Sequence, residues 1–174
     1  MKTILLLRHA KSDWSDPSLV DFDRPLANRG LKDAPRMGDV LAGYNFVPDI
    51  IISSPARRAK QTAKHVAEAC GYTKSIQWQE SFYGATSDAL ISSLQQLNNR
   101  IDRPLLVGHN PTMEETVAEL LTDDETGAWT GWFIRIPTAG LVCLDVDIVD
   151  WATLDTGMAV LRWFLIPKLV KAIT

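Results

Sequence analysis

The chain has 174 residues, 46% of them hydrophobic and 22% charged, with a formal net charge of −3 at pH 7. That length suits one domain, spanning 1–174, able to bury about 70% of the surface its unfolded chain exposes. The slight negative charge gives no electrostatic reason to expect nucleic acid or an anionic membrane as partner, so affinity for phosphate must come from a local cluster of cations. Cys70 and Cys143 do not make a disulfide framework, and no Cys/His metal spacing is present. The opening apolar stretch stops after four residues at Arg8, too short for a signal segment, and no run is long enough to span a bilayer. The cytoplasm is the expected compartment.

Ile4-Leu5-Leu6-Leu7 predicts a short buried strand at the centre of a parallel sheet, and Arg8-His9 follow it directly. Ligand sites in open α/β sheets lie just beyond the carboxyl ends of strands. An arginine there is a fixed cation for phosphate, and a histidine can take up a phosphoryl group. A basic pair at a strand end is as often plain solvated surface, so the dipeptide alone leaves both readings open. Polar residues 11–23, with Pro17 inside and Pro25 just beyond, predict a long loop over that strand end.

Residues 30–43 predict a helix, with Leu31, Ala34, Met37, Val40 and Leu41 as its apolar stripe. Ile50-Ile51-Ile52 reads as the next buried strand. Ser54-Pro55 then predicts an N-cap and first helical residue. Ala59, Thr62, Ala63, Val66 and Cys70 place one side of that helix inward, and Gly71 stops it. Residues 87–98 predict another helix, with Ala89, Leu90, Leu94 and Leu97 inward.

Pro104-Leu105-Leu106-Val107-Gly108 is a third strand of the first one's type, and it too ends on a histidine, His109. Pro111 opens a helix through Leu121. Residues 141–149 and 158–166 predict closing strands, the first alternating at Val142, Leu144, Val146 and Ile148. Strands alternating with helices argue a three-layer α/β/α sandwich with a mainly parallel central sheet. Little helix separates the last two strands, so one antiparallel strand is expected. The six tryptophans suggest a stiff core, with a contact surface as the alternative place for Trp129 and Trp132.

Three strand ends thus present chemistry on one sheet edge: Arg8 with His9, the turn leading to Arg58, and His109. Arg58 falls on the first turn of its helix, where the helix N-terminus already attracts anions and a guanidinium adds a bidentate donor. Arg57 and His65 read as solvated side chains.

Leu7-Arg8-His9-Ala10-Lys11-Ser12 resembles the Arg-His-Gly signature of the histidine phosphatase superfamily, which includes cofactor-dependent phosphoglycerate mutases and acid phosphatases. Ser54-Pro55-x-x-Arg58-Ala59-x-Gln61-Thr62 is similar to its second signature, and Val107-Gly108-His109-Asn110-Pro111 to its third. The matches run in family order from residue 4 to about residue 113. Within the superfamily, Arg8 to Trp14 and Asp23-Arg24-Pro25-Leu26-x-x-Arg29-Gly30 resemble the small bacterial phosphohistidine phosphatases of the SixA-like subgroup. Mutases carry Gly-Glu where Ala10-Lys11 stands and Asn where Ser15 stands, and they have longer insertions. Ala27 stands where relatives place a helix-capping threonine, with Asn28 as its substitute.

The resemblance implies His9 as nucleophile and Arg8, Arg58 and His109 as the phosphate pocket. It implies Arg24 and Ser15 at the substrate-binding mouth and Glu80 as general acid, a solvated loop carboxylate being the alternative for Glu80. The expected function is a phosphatase with a phosphohistidine intermediate, acting on phosphohistidine in a partner protein. The alternatives are a hydrolase of small phosphomonoesters and a non-catalytic phosphate-binding module, with a mutase further behind. Such chemistry needs no metal or other cofactor: two arginines and a second imidazole position and neutralise the phosphoryl group. His9 has to offer an unprotonated ring nitrogen, its other nitrogen's proton held by a backbone carbonyl. Neighbouring arginines favour that neutral form.

Overall fold

The structure, a computed structural model, describes residues 1–121 and 134–173. Six strands form one sheet in the order β3-β2-β4-β1-β5-β6, where β1 is Lys2–Arg8, β2 Ile50–Ser53, β3 Gln77–Trp78, β4 Pro104–Gly108, β5 Leu141–Val146 and β6 Ala159–Leu165. β1, β2, β3 and β4 pair in parallel, and β5 runs antiparallel to both β1 and β6. The sheet is therefore mainly parallel with one antiparallel strand, as the spacing of the last two strands predicts.

Alternation along β1 explains the three layers. Leu5 and Leu7 point into a core shared with α1 (Asn28–Gly43), α2 (Arg57–Cys70) and α5 (Pro167–Ile173). Ile4 and Leu6 point the opposite way, into a core shared with α3 (Ser87–Gln95) and α4 (Thr112–Leu121). All four side chains are completely buried, each contributing about 1.5–3 kcal/mol relative to exposure. A strand apolar on both faces has to sit between two helical layers. No helix among the described residues is long and apolar enough to cross a membrane.

Two glycines set close approaches that frame the site. A Cβ at Gly38 would lie 2.6 Å from both the Ala69 Cβ and the Val66 carbonyl oxygen, so its absence lets α1 press against α2. A Cβ at Gly30 would lie 2.3 Å from the Lys11 carbonyl oxygen, which ties the start of α1 to the segment leaving β1. Residues 11–27 then fold over the sheet edge, pinned by a Ser12–Leu26 bridge and by Leu26 N–H donating to Gln61 Oε1 at 2.7 Å.

Several local expectations are corrected. α2 begins at Arg57 with Ala56 as its cap, not at Pro55; the Ser54 hydroxyl accepts from Ala56 N–H at 3.3 Å and from His109 Nε2 at 2.8 Å. Asn28 is the first residue of α1 and does not cap it; Ala27 takes the cap position without a side-chain bond. Leu31 is exposed rather than part of the inward stripe. The segment after β6 folds into α5, and β3 is two exposed residues that no apolar run announces. Of the tryptophans, Trp151 is fully buried while Trp14 and Trp78 are exposed, which overturns the stiff-core expectation for them. Trp129 and Trp132 lie outside the described residues.

Candidate active site

Parallel register brings the chemistry together. Leu7 and Ser53 both pair with Val107, and Arg8 pairs with Gly108. Three chains therefore leave the sheet side by side, into His9, Ser54 and His109. Ladder-like bonds continue past the strands and fix these exits: His9 N–H donates to Gly108 O at 2.9 Å, and Ser54 N–H donates to Val107 O at 3.0 Å.

The His9 ring is buried, 8% exposed. Its Nδ1 lies 2.8 Å from the Ala10 carbonyl oxygen, which can only accept, so Nδ1 carries the proton. Nε2 then holds a lone pair, and Arg58 Nε donates to it at 3.3 Å. His109 is the mirror case. Arg58 Nη2 can only donate to His109 Nδ1, at 3.2 Å, so the proton sits on Nε2 and is given to Ser54 Oγ at 2.8 Å. The two rings lie 5.0 Å apart at 55°.

Both imidazoles are held neutral. Burial pushes the His9 pKa down to about 3; the Ala10 carbonyl works against this, and the charges of His109, Arg58 and Arg8 add to it. Burial, then Arg58, lowers His109 to about 4, with Asp21 opposing. The neighbouring arginines act in the expected direction, but desolvation is the larger cause.

Arg58 sits at the second position of α2, and its side chain is 9% exposed. Besides the two imidazoles, it donates through Nη1 to the Asp21 carbonyl and through Nη2 to the Asp21 carboxylate, the latter at 2.8 Å. Tyr83 gives its hydroxyl proton to the same carboxylate oxygen at 3.0 Å and sets its ring edge-on to His109. Arg57 is exposed, with one long contact, 3.5 Å, to the Asp23 carbonyl. Arg58, not Arg57, is the arginine that contacts both imidazoles.

Arg8 donates through Nη1 to the Ile136 carbonyl at 2.8 Å, and its Nε is buried with no hydrogen-bond partner among the described residues. Desolvation lowers the Arg8 pKa and the Glu114 charge opposes the shift. Glu114 itself is held by Asn110 Nδ2 at 2.7 Å and Ile136 N–H at 2.8 Å. Arg24 is buried one step from the Asp21–Asp23 turn. It stacks on Trp14 at 4.1 Å, donates to the Asp16 carbonyl at 3.2 Å, and keeps Nε without a partner among the described residues.

The structure thus gathers Arg8, His9, Arg58 and His109, with Arg24 beside the turn that supplies Asp21. It does not bring Ser15 or Glu80 into the hydrogen-bonded set. Ser15 is exposed and donates its N–H to the Asp13 carboxylate at 2.9 Å. Glu80 is exposed at the start of a short 3-10 turn, Glu80–Phe82, whose next residue is Tyr83. Asp21, Tyr83 and Ser54's bond to His109 escape the sequence reading. For Ser54 a signal exists: it follows β2 as His9 follows β1 and His109 follows β4.

A neutral imidazole with an unprotonated Nε2 held by Arg58, near a second guanidinium and a second neutral imidazole, is suited to receiving a tetrahedral oxyanion. A candidate phosphohistidine phosphatase SixA from Agrobacterium tumefaciens superposes with a TM-score of 0.78 at 32% identity, covering 95% of this chain and 98% of that one. The protein histidine phosphatase SixA complexed with tungstate shares the fold, with a TM-score of 0.81 over 97% of this chain and 99% of that one at 20% identity. An uncharacterised protein of Mycobacterium tuberculosis H37Rv is 32% identical over 164 residues, 93% of this chain and all of that protein. The sequence profile of the histidine phosphatase superfamily, branch 1, matches residues 4–103, and the chain belongs to that superfamily.

Proposed function

We propose that this chain is a phosphatase that takes a phosphoryl group onto His9 Nε2 and releases it to water, with phosphohistidine in a partner protein as substrate. The observation that carries the reading is the fixed tautomer of His9. The Ala10 carbonyl holds the Nδ1 proton, so the lone pair stands on Nε2, next to Arg58. A pKa near 3 keeps Nε2 unprotonated at every physiological pH.

In the first step the Nε2 lone pair forms a bond to phosphorus as the bond from phosphorus to the substrate's imidazole nitrogen breaks. The electron pair of that bond leaves with the substrate imidazole, which already carries a proton on its other ring nitrogen and so departs as a neutral ring. Arg8 and Arg58 offset charge on the phosphoryl oxygens, which is most of what phosphoryl transfer asks of a protein. Water then attacks phosphorus in line, the bond to Nε2 breaks, and His9 recovers its lone pair as inorganic phosphate leaves.

An imidazole is a better leaving group than an alkoxide, so phosphohistidine asks little of a general acid. Hydrolysis of that substrate class therefore does not depend on Glu80, which is exposed and outside the hydrogen-bonded set. Cys70 and Cys143 are free and buried, in keeping with the cytoplasm as the compartment. The test is a turnover panel that sets a phosphohistidine-bearing protein against common sugar and nucleotide phosphates. The reading predicts that the first is preferred; brisk hydrolysis of a sugar phosphate with no action on phosphohistidine would replace it with the small-phosphomonoester reading.

A further inference from the structure

A guanidinium has five N–H donors, and four of those on Arg58 are already committed. Nε serves His9, Nη2 serves both His109 and the Asp21 carboxylate, and Nη1 serves the Asp21 carbonyl. An oxyanion gripped by two parallel N–H bonds needs more than the one donor left. The imidazole bonds lie in the interior, where His9 and Arg58 are 8% and 7% exposed. The Asp21 side chain is 47% exposed, so water can take over its acceptor duty at little cost. Of Arg58's partners, Asp21 is the one that gives way most easily.

Asp21 also resembles what would replace it. It is a negatively charged group with a planar pair of oxygens, and it accepts from Arg58 and from the Tyr83 hydroxyl at 2.8 and 3.0 Å. Its pKa stays below the ordinary carboxylate value: burial would raise it, but the bond and charge of Arg58 outweigh that. Moving Asp21 aside releases two donors at once, Arg58 Nη2 and the Tyr83 hydroxyl, on the side of Arg58 that faces His109.

We propose that Asp21 is a built-in competitor for the substrate's phosphoryl group, a carboxylate that occupies Arg58 and Tyr83 and is displaced when an oxyanion binds. The proposal rests on the role assigned above to Arg58. It makes Asp21 a determinant of oxyanion affinity, not a catalytic residue. It also gives Tyr83 a place in binding that follows from Asp21's departure.

The opposite view, that Asp21 holds Arg58 in position for binding, predicts the opposite sign, and one experiment separates them. Tungstate affinity is measured by calorimetry for wild type and Asp21→Asn, with thermal melts to confirm folding. A competitor predicts that Asp21→Asn binds tungstate about two- to five-fold more tightly, the worth of a half-exposed ion pair. In turnover the gain appears as a lower KM with kcat little changed. Unchanged or weaker tungstate binding overturns the proposal. Should Asp21→Asn fail to fold, Asp21→Ser decides, since it removes the same carboxylate and leaves both donors in place: tighter tungstate binding supports the competitor, and unchanged or weaker binding overturns it. Because tungstate is not turned over, the result stands apart from the phosphatase reading, which fails only if wild type binds tungstate and hydrolyses no phosphorylated substrate.

Discussion

Removing the Arg58 side chain separates the pocket arginine from its neighbour. In the structure Arg58 is buried and touches both imidazoles, whereas Arg57 is exposed and, among the described residues, reaches the Asp23 carbonyl at 3.5 Å. A charge-assisted hydrogen bond is worth about 1.5–3 kcal/mol, so Arg58→Ala is expected to weaken tungstate binding by about ten- to a hundred-fold. Arg57→Ala is expected to change it by less than about three-fold, as an exposed long contact contributes little. A second consequence follows from the charges. Arg58 is one of the groups that lower the pKa values of His9 and His109, so its loss moves both upward and shifts the acid limb of the pH–activity profile toward neutrality. Calorimetry with tungstate and a pH–rate series on the purified variants measure both effects. A larger loss from Arg57→Ala than from Arg58→Ala refutes the assignment, and an unmoved acid limb refutes the electrostatic part of it.

Glu80→Gln is expected to leave phosphohistidine hydrolysis nearly unchanged while cutting hydrolysis of an alkyl phosphomonoester by at least about 10²-fold; equal small losses on both, read by phosphate release, return Glu80 to a solvated carboxylate. Acid stability supplies another test. His9 and His109 have folded pKa values of about 3 and 4 against an ordinary 6.5, so the unfolded chain binds protons first. Their contribution is fully present above about pH 6.5 and is lost as pH falls toward 4 and then 3, each imidazole giving up about 1.4 kcal/mol for every pH unit of that descent. Thermal melts between pH 6.5 and 5, above the range of ordinary carboxylates, should show a steadily falling Tm, and a flat Tm contradicts neutral buried imidazoles.

Much of the site is legible in the sequence because its residues hang on the strongest local signals in the chain. The apolar runs before Arg8-His9 and His109 are both completely buried strands, and parallel register does the rest. Arg58 follows from the helix after β2, since Gly71, at φ 74°, ends α2 where the periodicity says it does. What the sequence hides is set by tertiary contact. Asp21 reaches Arg58 only because the segment over the sheet edge is anchored by Lys11, Gln61 and Gly30. α2 starts two residues later than Ser54-Pro55 suggests, and the Ser54 hydroxyl accepts from His109 Nε2 across the sheet edge as well as from Ala56 N–H. Short elements such as β3 and α5 carry too few residues for a period to show.

The central claim is that His9 carries the phosphoryl group, and trapping that intermediate tests it most directly. Wild-type protein quenched with base during turnover of a 32P-labelled substrate, then digested and mapped at alkaline pH, should yield phosphate on His9 that is base-stable and is lost on brief acid treatment. His9→Ala should yield none and turn over no substrate, while still binding tungstate weakly through Arg8 and Arg58. Near wild-type turnover by His9→Ala, or label found on a residue other than His9, would contradict the account.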